Sequence, residues 1–262
     1  MEFVDTERGR FAIRREGSGP TALFLHGFPL DATMWLDQIT GLEGLGERIA
    51  MDLRGNGHSE PTHHDIADID MHADDVVAVI EALGVLKVDL VGFSMGGYVA
   101  LSIAQRYPER LRSLALIDSK ADADSDAAKI NRTNAAVRAT LQGREALAQE
   151  MIEALLSPSA SLLAKARLRT MVEACSFETI VASQAGMAKR PARTKTVAGL
   201  DVPFLAVVGE HDGVTPPELS IAMADAAPNG MSVVIPGAGH MTPIEKPRAV
   251  NDILRDWLKK VR

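Results

Sequence analysis

Ser94 is a residue whose type and surroundings could support nucleophilic chemistry. Residues 88–97 read VDLVGFSMGG, so the serine lies in a Gly-x-Ser-x-Gly pattern between an apolar run and a helix-forming stretch. Turning from a strand into a helix within so few residues strains the backbone at Ser94. Gly92 and Gly96 are then required, because a Cβ there would collide with the neighbouring strand or helix. The pattern predicts an exposed serine nucleophile at the positive end of a helix.

A serine hydroxyl is a weak nucleophile at neutral pH and needs a base, which in turn needs an orienting acid. Of the seven histidines, we favour His240 as the base, because it follows a predicted strand in the loop GAGH at 237–240. We favour Asp212 as the acid, since it also follows a predicted strand and the chain order is serine, acid, histidine. Asp118 ends another predicted strand and remains an alternative acid. All four groups are expected at one edge of a parallel sheet.

The elements that position these residues alternate between strands and helices. Apolar runs predict strands at 3–5, 10–14, 21–25, 48–52, 88–91, 111–117, 202–208 and 231–235, and helical periodicity predicts core helices at 70–83, from 95 to about 106, and at 247–260. The first two strands are typical of an antiparallel hairpin at a sheet edge. The remaining alternation indicates βαβ units, and therefore an α/β fold with a mostly parallel, doubly wound sheet.

The alternation stops after the sixth predicted strand. Successive helical segments follow at 125–141, 144–156, 161–174 and 178–189, without a convincing strand pattern between them. An all-helical insertion between two halves of one sheet indicates a lid rather than an independent domain. We therefore predict a core formed by residues 1–118 and 196–262, and a helical lid formed by residues 119–195.

Composition narrows the class of protein and its partners. The 262 residues carry a net charge of −7 without a basic run, which argues against nucleic acid as a partner. The charged first residues and the absence of a long apolar segment predict neither a signal peptide nor a membrane span. The single cysteine, Cys175, excludes an internal disulfide and fits a reducing compartment. We expect a cytoplasmic protein with no membrane partner, and its oligomeric state stays open.

The motifs together resemble those of the α/β-hydrolase superfamily. Beyond the three candidate catalytic residues, the similarity is carried by HGFPLD at 26–31, DLRGNGHS at 52–59 and HMTPIEKP at 240–247. The pattern is similar to a group of serine lactonases and esterases that includes 3-oxoadipate enol-lactonases and cofactor-free haloperoxidases or perhydrolases. A serine nucleophile disfavours the aspartate chemistry of haloalkane dehalogenases and epoxide hydrolases in the same superfamily.

The resemblance implies a mechanism without a cofactor. Ser94, His240 and Asp212 would form a catalytic triad, and the backbone N–H groups of Phe28 and Met95 would form an oxyanion hole. The implied substrate is a small carboxylic ester or lactone, cleaved through an acyl-enzyme. One alternative is a cofactor-free perhydrolase or haloperoxidase that uses the same residues, and another is a non-enzymatic ligand-binding receptor on this fold.

Other residues that could do chemistry are given structural roles. His58, His63, His64 and His72 are close in sequence, but their spacing matches no compact ligand motif, so we predict no metal site. Cys175 is interpreted as a small buried hydrophobe, and His26 as a residue that holds its loop through hydrogen bonds. The lid arginines are expected to be mostly solvated, although one could receive a substrate carboxylate: Arg132, Arg138, Arg167, Arg169, Arg190 and Arg193.

Overall fold

One sheet of eight strands lies at the centre of the computed structural model, which describes residues 1–61 and 66–262. In chain order the strands are β1 (Glu2–Thr6), β2 (Gly9–Glu16), β3 (Thr21–Leu25), β4 (Glu47–Met51), β5 (Val88–Phe93), β6 (Leu111–Ile117), β7 (Phe204–Gly209) and β8 (Gly230–Ile235). Their spatial order is β1-β2-β4-β3-β5-β6-β7-β8. β2 pairs antiparallel with β1 and β4, whereas all other neighbours are parallel. The predicted hairpin and mostly parallel sheet are confirmed.

Helices connect the strands and cover both faces of the sheet. They are α1 (Leu36–Gly41), α2 (Ile69–Ala82), α3 (Met95–Arg106), α4 (Asp126–Gln142), α5 (Arg144–Leu155), α6 (Leu162–Ala174), α7 (Phe177–Lys189), α8 (Thr194–Ala198), α9 (Pro217–Ala226), α10 (Thr242–Glu245) and α11 (Pro247–Val261). Short 3₁₀ turns lie at Ala32–Trp35 and Pro108–Arg110.

The two-sided burial of the sheet explains why its strands read as continuous apolar runs. All five residues of β3 are buried. Leu23 and Leu25 join the apolar cluster that includes residues of α2 and α3, while Ala22 and Phe24 join a second cluster that includes residues of α1 and α11. Because successive side chains of a strand point to opposite faces, a strand covered on both sides buries the side chains of both faces and is therefore mostly apolar.

The helices α4 to α8 lie between β6 and β7, where the sequence predicts a lid, and we call this segment the lid. Three of these helices begin after a serine whose hydroxyl accepts a hydrogen bond from the backbone in the first turn, as N-cap residues do. Ser125 accepts from Ala128, Ser161 from Ala164, and Ser176 from Thr179. The short α8 was not predicted, and it crosses the expected boundary between lid and core at residues 195 and 196.

The expectation that the lid arginines are mostly solvated is wrong for four of the six. Arg190 and Arg193 are buried, and they form ion pairs with Asp124 and Asp70 respectively. Arg132 also pairs with Asp124, and Arg167 reaches the core residue Asp37 at 2.5 Å. Side chains of this length pack their apolar stems against the protein surface, so a helix that lies on a core can bury them.

The histidines considered as metal ligands are not gathered into a site in the part of the chain that the structure describes. There, no group of three His, Cys, Asp or Glu side chains is placed to hold a metal ion. His63 and His64 lie outside the described residues. Within the same described ranges, no helix is both long and apolar enough to cross a membrane.

His72 is instead a fully buried residue of α2. Neither of its ring nitrogens has a hydrogen-bond partner among the described residues. Burial lowers the pKa of His72 from 6.5 to about 4, and neighbouring Asp75 opposes this change only in part. The imidazole is therefore neutral in the folded protein near neutral pH, whereas in the unfolded chain it gains a proton at a higher pH.

Replacing His72 with leucine is expected to make the protein less sensitive to acid. Stability falls as the pH drops from about 6.5 to about 4, because the unfolded chain binds the proton first. At pH 5, this proton uptake by the unfolded chain lowers the free energy of unfolding by about 2 kcal/mol. Urea unfolding at pH 7 and pH 5 measures the difference, which should shrink by that amount in the variant. His58→Leu, at an exposed position, should keep the wild-type difference. An unchanged difference in His72→Leu would contradict the assignment.

Candidate active site

Ser94 lies in the sharp turn between β5 and α3, as its sequence pattern predicts. Its backbone has φ 49° and ψ −113°, a conformation that costs a non-glycine residue energy. A Cβ on Gly92 would lie 2.5 Å from the carbonyl oxygen of Gly96, and one on Gly96 would lie 2.6 Å from that of His26. The glycines are thus required by close backbone contacts. The turn is held in place by a 3.0 Å hydrogen bond from the Ser94 amide to the carbonyl of Ile117.

His240 lies beside this serine. Its Nε2 is 3.0 Å from the Ser94 Oγ, and its Nδ1 is 2.8 Å from the Asp212 Oδ2. The Asp212 carboxylate can only accept a hydrogen bond, so Nδ1 must carry the ring proton. Nε2 is then free to accept the proton of the Ser94 hydroxyl. The backbone amide of His240 donates to the carbonyl of Leu155 in the lid at 2.7 Å, and the side chain is almost fully buried.

Asp212 is held by several donors in the loop after β7. Its Oδ1 accepts from the amides of Val214 at 2.8 Å and Thr215 at 2.9 Å, and its Oδ2 accepts from the Thr215 hydroxyl at 2.5 Å. Burial alone would raise the pKa of Asp212, but the hydrogen bonds from His240 and Thr215 outweigh it, so the pKa is lowered. An ionised Asp212 therefore faces the imidazole.

Asp118, the alternative acid, occupies a different place. Its carboxylate accepts from the amide of Gly209 at 2.9 Å, and from the hydroxyl of Thr242 at 2.5 Å and its amide at 3.2 Å. Burial and the nearby charge of Asp212 raise the pKa of Asp118 well above its ordinary value. The carboxyl thus joins the end of β7 to the loop after His240, and its hydrogen bonds go to backbone and hydroxyl groups rather than to the imidazole.

The segment after β3 lies against the candidate nucleophile. A Cβ on Gly27 would be 3.1 Å from the Cβ of Ser94. His26 donates from Nδ1 to the carbonyl of Gly27 at 2.8 Å and accepts from the amide of Leu53 at 2.9 Å, which fixes the loop as expected. Among the described residues, neither the Phe28 amide nor the Met95 amide donates to a protein acceptor. Neither N–H group therefore has a protein acceptor in this part of the chain, and Met95 directly follows Ser94.

Glu245 is a residue of the site that the sequence reasoning missed. Its Oε1 accepts from the amides of Gly239 at 3.0 Å and Met241 at 3.3 Å, on either side of His240. Its Oε2 accepts from the amide of Ser157 in the lid at 2.9 Å. The one sequence signal that pointed to Glu245 is its position in HMTPIEKP, a segment used above only as evidence of family resemblance. Glu245 thus ties the histidine loop to the lid.

Cys175 is placed as the sequence suggested. It is buried, and burial raises the pKa of its thiol to about 12, so it is a poor candidate for a second nucleophile. Glu210, near Asp212 in sequence, accepts from the amide of Gly237 at 2.8 Å.

The hydrogen-bonded chain from carboxylate to imidazole to hydroxyl can transfer a proton away from the serine. Such a chain suits acyl transfer. A family model for the α/β hydrolase fold matches residues 20–247. The chain belongs to this family.

This α/β hydrolase is similar to two curated relatives. It is 31% identical, over 98% of its length, to the dihydrolipoyllysine-residue acetyltransferase component of the acetoin cleaving system of Cupriavidus necator. It spans 68% of that protein and 66% of the Pseudomonas putida counterpart. It is 29% identical to the non-heme chloroperoxidase CPO-A1 of Kitasatospora aureofaciens, over 93% of this chain and 94% of the relative.

Two solved structures share the architecture of this hydrolase. A thermophilic esterase from Thermogutta terrifontis with malate bound superposes with a TM-score of 0.94, at 38% identity over 99% of this chain and 98% of the esterase. The enol-lactonase from Burkholderia xenovorans superposes with a TM-score of 0.89, at 23% identity over 98% of this chain and 100% of the lactonase. The predicted fold and the resemblance to the lactonase and esterase group are confirmed.

Proposed function

We propose that the protein is a serine hydrolase that cleaves a small carboxylic ester or lactone through an acyl-enzyme. The observation that carries the proposal is the pair of contacts at His240: 3.0 Å from Nε2 to the Ser94 hydroxyl and 2.8 Å from Nδ1 to the Asp212 carboxylate. Similarity to an esterase over nearly the whole chain supports the same reaction class.

In the first half-reaction, the Ser94 Oγ attacks the carbonyl carbon while His240 Nε2 takes the hydroxyl proton. Asp212 stabilises the imidazolium and keeps its Nδ1 proton in place. The amides of Phe28 and Met95 hydrogen-bond the oxyanion, and each such donor is worth roughly 3 kcal/mol in related sites. The intermediate collapses, the bond to the leaving oxygen breaks, and His240 returns its proton to that oxygen.

In the second half-reaction, water attacks the acyl-enzyme. His240 takes a proton from the water as its oxygen bonds to the carbonyl carbon. The bond to the Ser94 oxygen then breaks, His240 returns the proton to that oxygen, and the carboxylic acid leaves. The same five protein groups serve both halves, so no cofactor is required.

A fluorophosphonate probe tests this proposal directly, because it reacts with a serine only when a base activates the hydroxyl. The folded protein should be labelled once, at the peptide that contains Ser94, and hydrolysis of short p-nitrophenyl esters should fall in parallel with labelling. Urea-unfolded protein is the control and should remain unlabelled. Ester hydrolysis that persists after complete labelling of Ser94 would exclude it as the nucleophile.

A second candidate is perhydrolysis, supported by the similarity to a non-heme chloroperoxidase. Hydrogen peroxide would replace water in the attack on the acyl-enzyme, so the product would be a peracid and the serine would be regenerated as before. Peracid formation from acetate and peroxide, compared with ester hydrolysis by the same preparation, separates the two activities.

The substrate panel should include esters that carry a free carboxylate as well as neutral ones. The Thermogutta terrifontis esterase was solved with malate, a dicarboxylate, and it is 38% identical to this chain. Neutral acetate and butyrate esters, lactones and half-esters of dicarboxylic acids together cover the proposed class.

A further inference from the structure

The loop that carries His240 is bonded to the lid through its own backbone. The His240 amide donates to the carbonyl of Leu155 at 2.7 Å. Leu155 is the last residue of α5, and the final carbonyls of a helix lack partners within the helix. The amides on either side of His240, those of Gly239 and Met241, donate to Glu245 Oε1 at 3.0 and 3.3 Å. The position of the imidazole therefore depends on Leu155 and Glu245.

The second oxygen of Glu245 bonds the lid itself. Oε2 accepts from the amide of Ser157 at 2.9 Å, two residues beyond Leu155. We call residues 155–157 the lid segment and residues 237–241 the histidine loop. One carboxylate thus accepts hydrogen bonds from the lid segment and from the histidine loop at the same time.

The histidine loop and the lid segment are in close contact. A Cβ on Gly239 would lie 2.7 Å from the carbonyl oxygen of Leu155 and 2.6 Å from the nitrogen of Ser157. The same loop is also bonded to the core, because the amide of His211 donates to the carbonyl of Ala238 at 2.8 Å. Since the loop has contacts with both, a shift of the lid segment against the core would displace the backbone of His240.

The donors around Glu245 explain why a carboxylate is needed there. In the described part of the chain, all hydrogen bonds of this half-buried side chain come from backbone N–H groups, and these belong to two different segments. A carboxylate has two oxygens that accept and no group that donates, whereas an amide side chain offers only one oxygen. Hydrogen bonds to a charged acceptor are also stronger than neutral ones.

We propose that Glu245 is a positioning residue for His240. By bonding the histidine loop to the lid segment, it keeps Nε2 of His240 within hydrogen-bond distance of the Ser94 hydroxyl. A displacement of about 1 Å in a reacting group can lower a rate about a hundredfold, so Glu245 acts on catalysis through the backbone. The catalytic consequence rests on the proposed function, whereas the position of the imidazole can be measured without a substrate.

Glu245→Gln tests this role with a side chain of the same size. Either the Ser157 amide or the amides of the histidine loop would then face the new NH₂ group. For a p-nitrophenyl ester, kcat/KM per serine labelled at completion by the fluorophosphonate should fall about ten- to hundredfold. For the ethyl ester of the same acid it should fall further, because an ethoxide needs the proton that His240 returns, whereas p-nitrophenolate leaves without one. A purely structural role would leave the ratio between the two esters unchanged.

Glu210→Gln is the matched control. The Glu210 carboxylate also accepts from an amide of the histidine loop, that of Gly237 at 2.8 Å, but its side chain is exposed and its bond lies three residues before His240. This variant should keep both rates and their ratio. An unchanged ester ratio in Glu245→Gln, or an equal change in Glu210→Gln, would overturn the proposal.

Gly239→Ala tests the lid side of the same arrangement while leaving Glu245 intact. Its Cβ would press on the backbone of Leu155 and Ser157, so it should change the ester ratio in the same direction. In the double variant with Glu245→Gln, the loss should be smaller than the product of the two single losses, because both changes act on one contact. Losses that multiply would show that the lid segment and Glu245 act separately, against the proposal.

NMR of the Nδ1 proton of His240 gives a readout without turnover. A proton held between an imidazole and a carboxylate resonates far downfield, and Asp212→Asn identifies the signal by removing it. The signal should shift or broaden in Glu245→Gln and stay unchanged in Glu210→Gln. If the wild type hydrolyses no ester but the signal responds in this way, the hydrolase proposal fails and the positioning role stands. If esters are hydrolysed but neither the signal nor the ester ratio responds to Glu245→Gln, the hydrolase proposal stands and the positioning role fails.

Discussion

Replacing Ser94 with alanine is expected to lower kcat for a short p-nitrophenyl ester on the order of 10⁴- to 10⁶-fold, as loss of the nucleophile does in other serine hydrolases. The imidazole, which lies 3.0 Å from the Ser94 oxygen, would remain in place, but the covalent path would be closed. Initial rates measured with enough enzyme to detect the residual reaction give the ratio.

Two controls make the Ser94→Ala result specific. Alanine keeps the Cβ, so the strain at φ 49° persists, and thermal unfolding should be close to that of wild type. Ser94→Gly should be equally inactive but more stable, because glycine adopts positive φ without a steric cost. A rate for Ser94→Ala within about tenfold of wild type would exclude the acyl-enzyme mechanism.

The parts of the fold that could be predicted are those governed by local rules. β3 lies at Thr21–Leu25, as predicted, because a strand covered on both faces is mostly apolar along its length. The turn at Ser94 was equally predictable, since the Gly-x-Ser-x-Gly pattern carries glycine at both positions where the structure has close backbone contacts. In both cases the residue types of one short segment indicate its conformation.

What could not be predicted depends on contacts between distant segments. The partner of Glu245 in the lid, the amide of Ser157, is 88 residues away in sequence. Arg190 was expected to be solvated, but it is buried against Tyr98 and Asp124, which precede it in the chain by many residues. Spacing along the chain does not determine which surface a lid helix covers, so these contacts had to come from the structure.

The choice between two acids was open for the same reason. Asp118 and Asp212 both follow strands of the parallel sheet, so both lie at the edge that carries Ser94. Which of them faces the imidazole depends on the course of the loop after β8. That loop places Nδ1 of His240 at 2.8 Å from Asp212, and it places Thr242 against Asp118.

Asp212→Asn is therefore expected to lower kcat about 10⁴-fold, the effect of the equivalent change in other triads. The Oδ1 of residue 212 accepts two backbone N–H groups, so an asparagine would keep its carbonyl there and direct its amide N–H at His240. Nδ1 would then have to accept, the proton would move to Nε2, and the imidazole could no longer take the proton of Ser94. The loss is measured as the ratio of wild-type to variant kcat for p-nitrophenyl ester hydrolysis, taken where the rate no longer changes with pH.

Asp118→Asn should lower kcat much less, by about tenfold or below. Burial and the nearby Asp212 favour the neutral form of Asp118, so replacing it with a neutral amide changes little charge around His240. The cost should fall on stability, because asparagine keeps only one side-chain oxygen, so its NH₂ group would face the N–H of either Gly209 or Thr242, which would lose its acceptor. Asp118→Asn should accordingly unfold at lower urea, while Asp212→Asn should be inactive but folded. If Asp118→Asn lowered kcat more than Asp212→Asn does, the carboxylate of Asp118 would be the functional acid. The contact between Asp212 and Nδ1 of His240 would then have to give way to one with Asp118 during turnover.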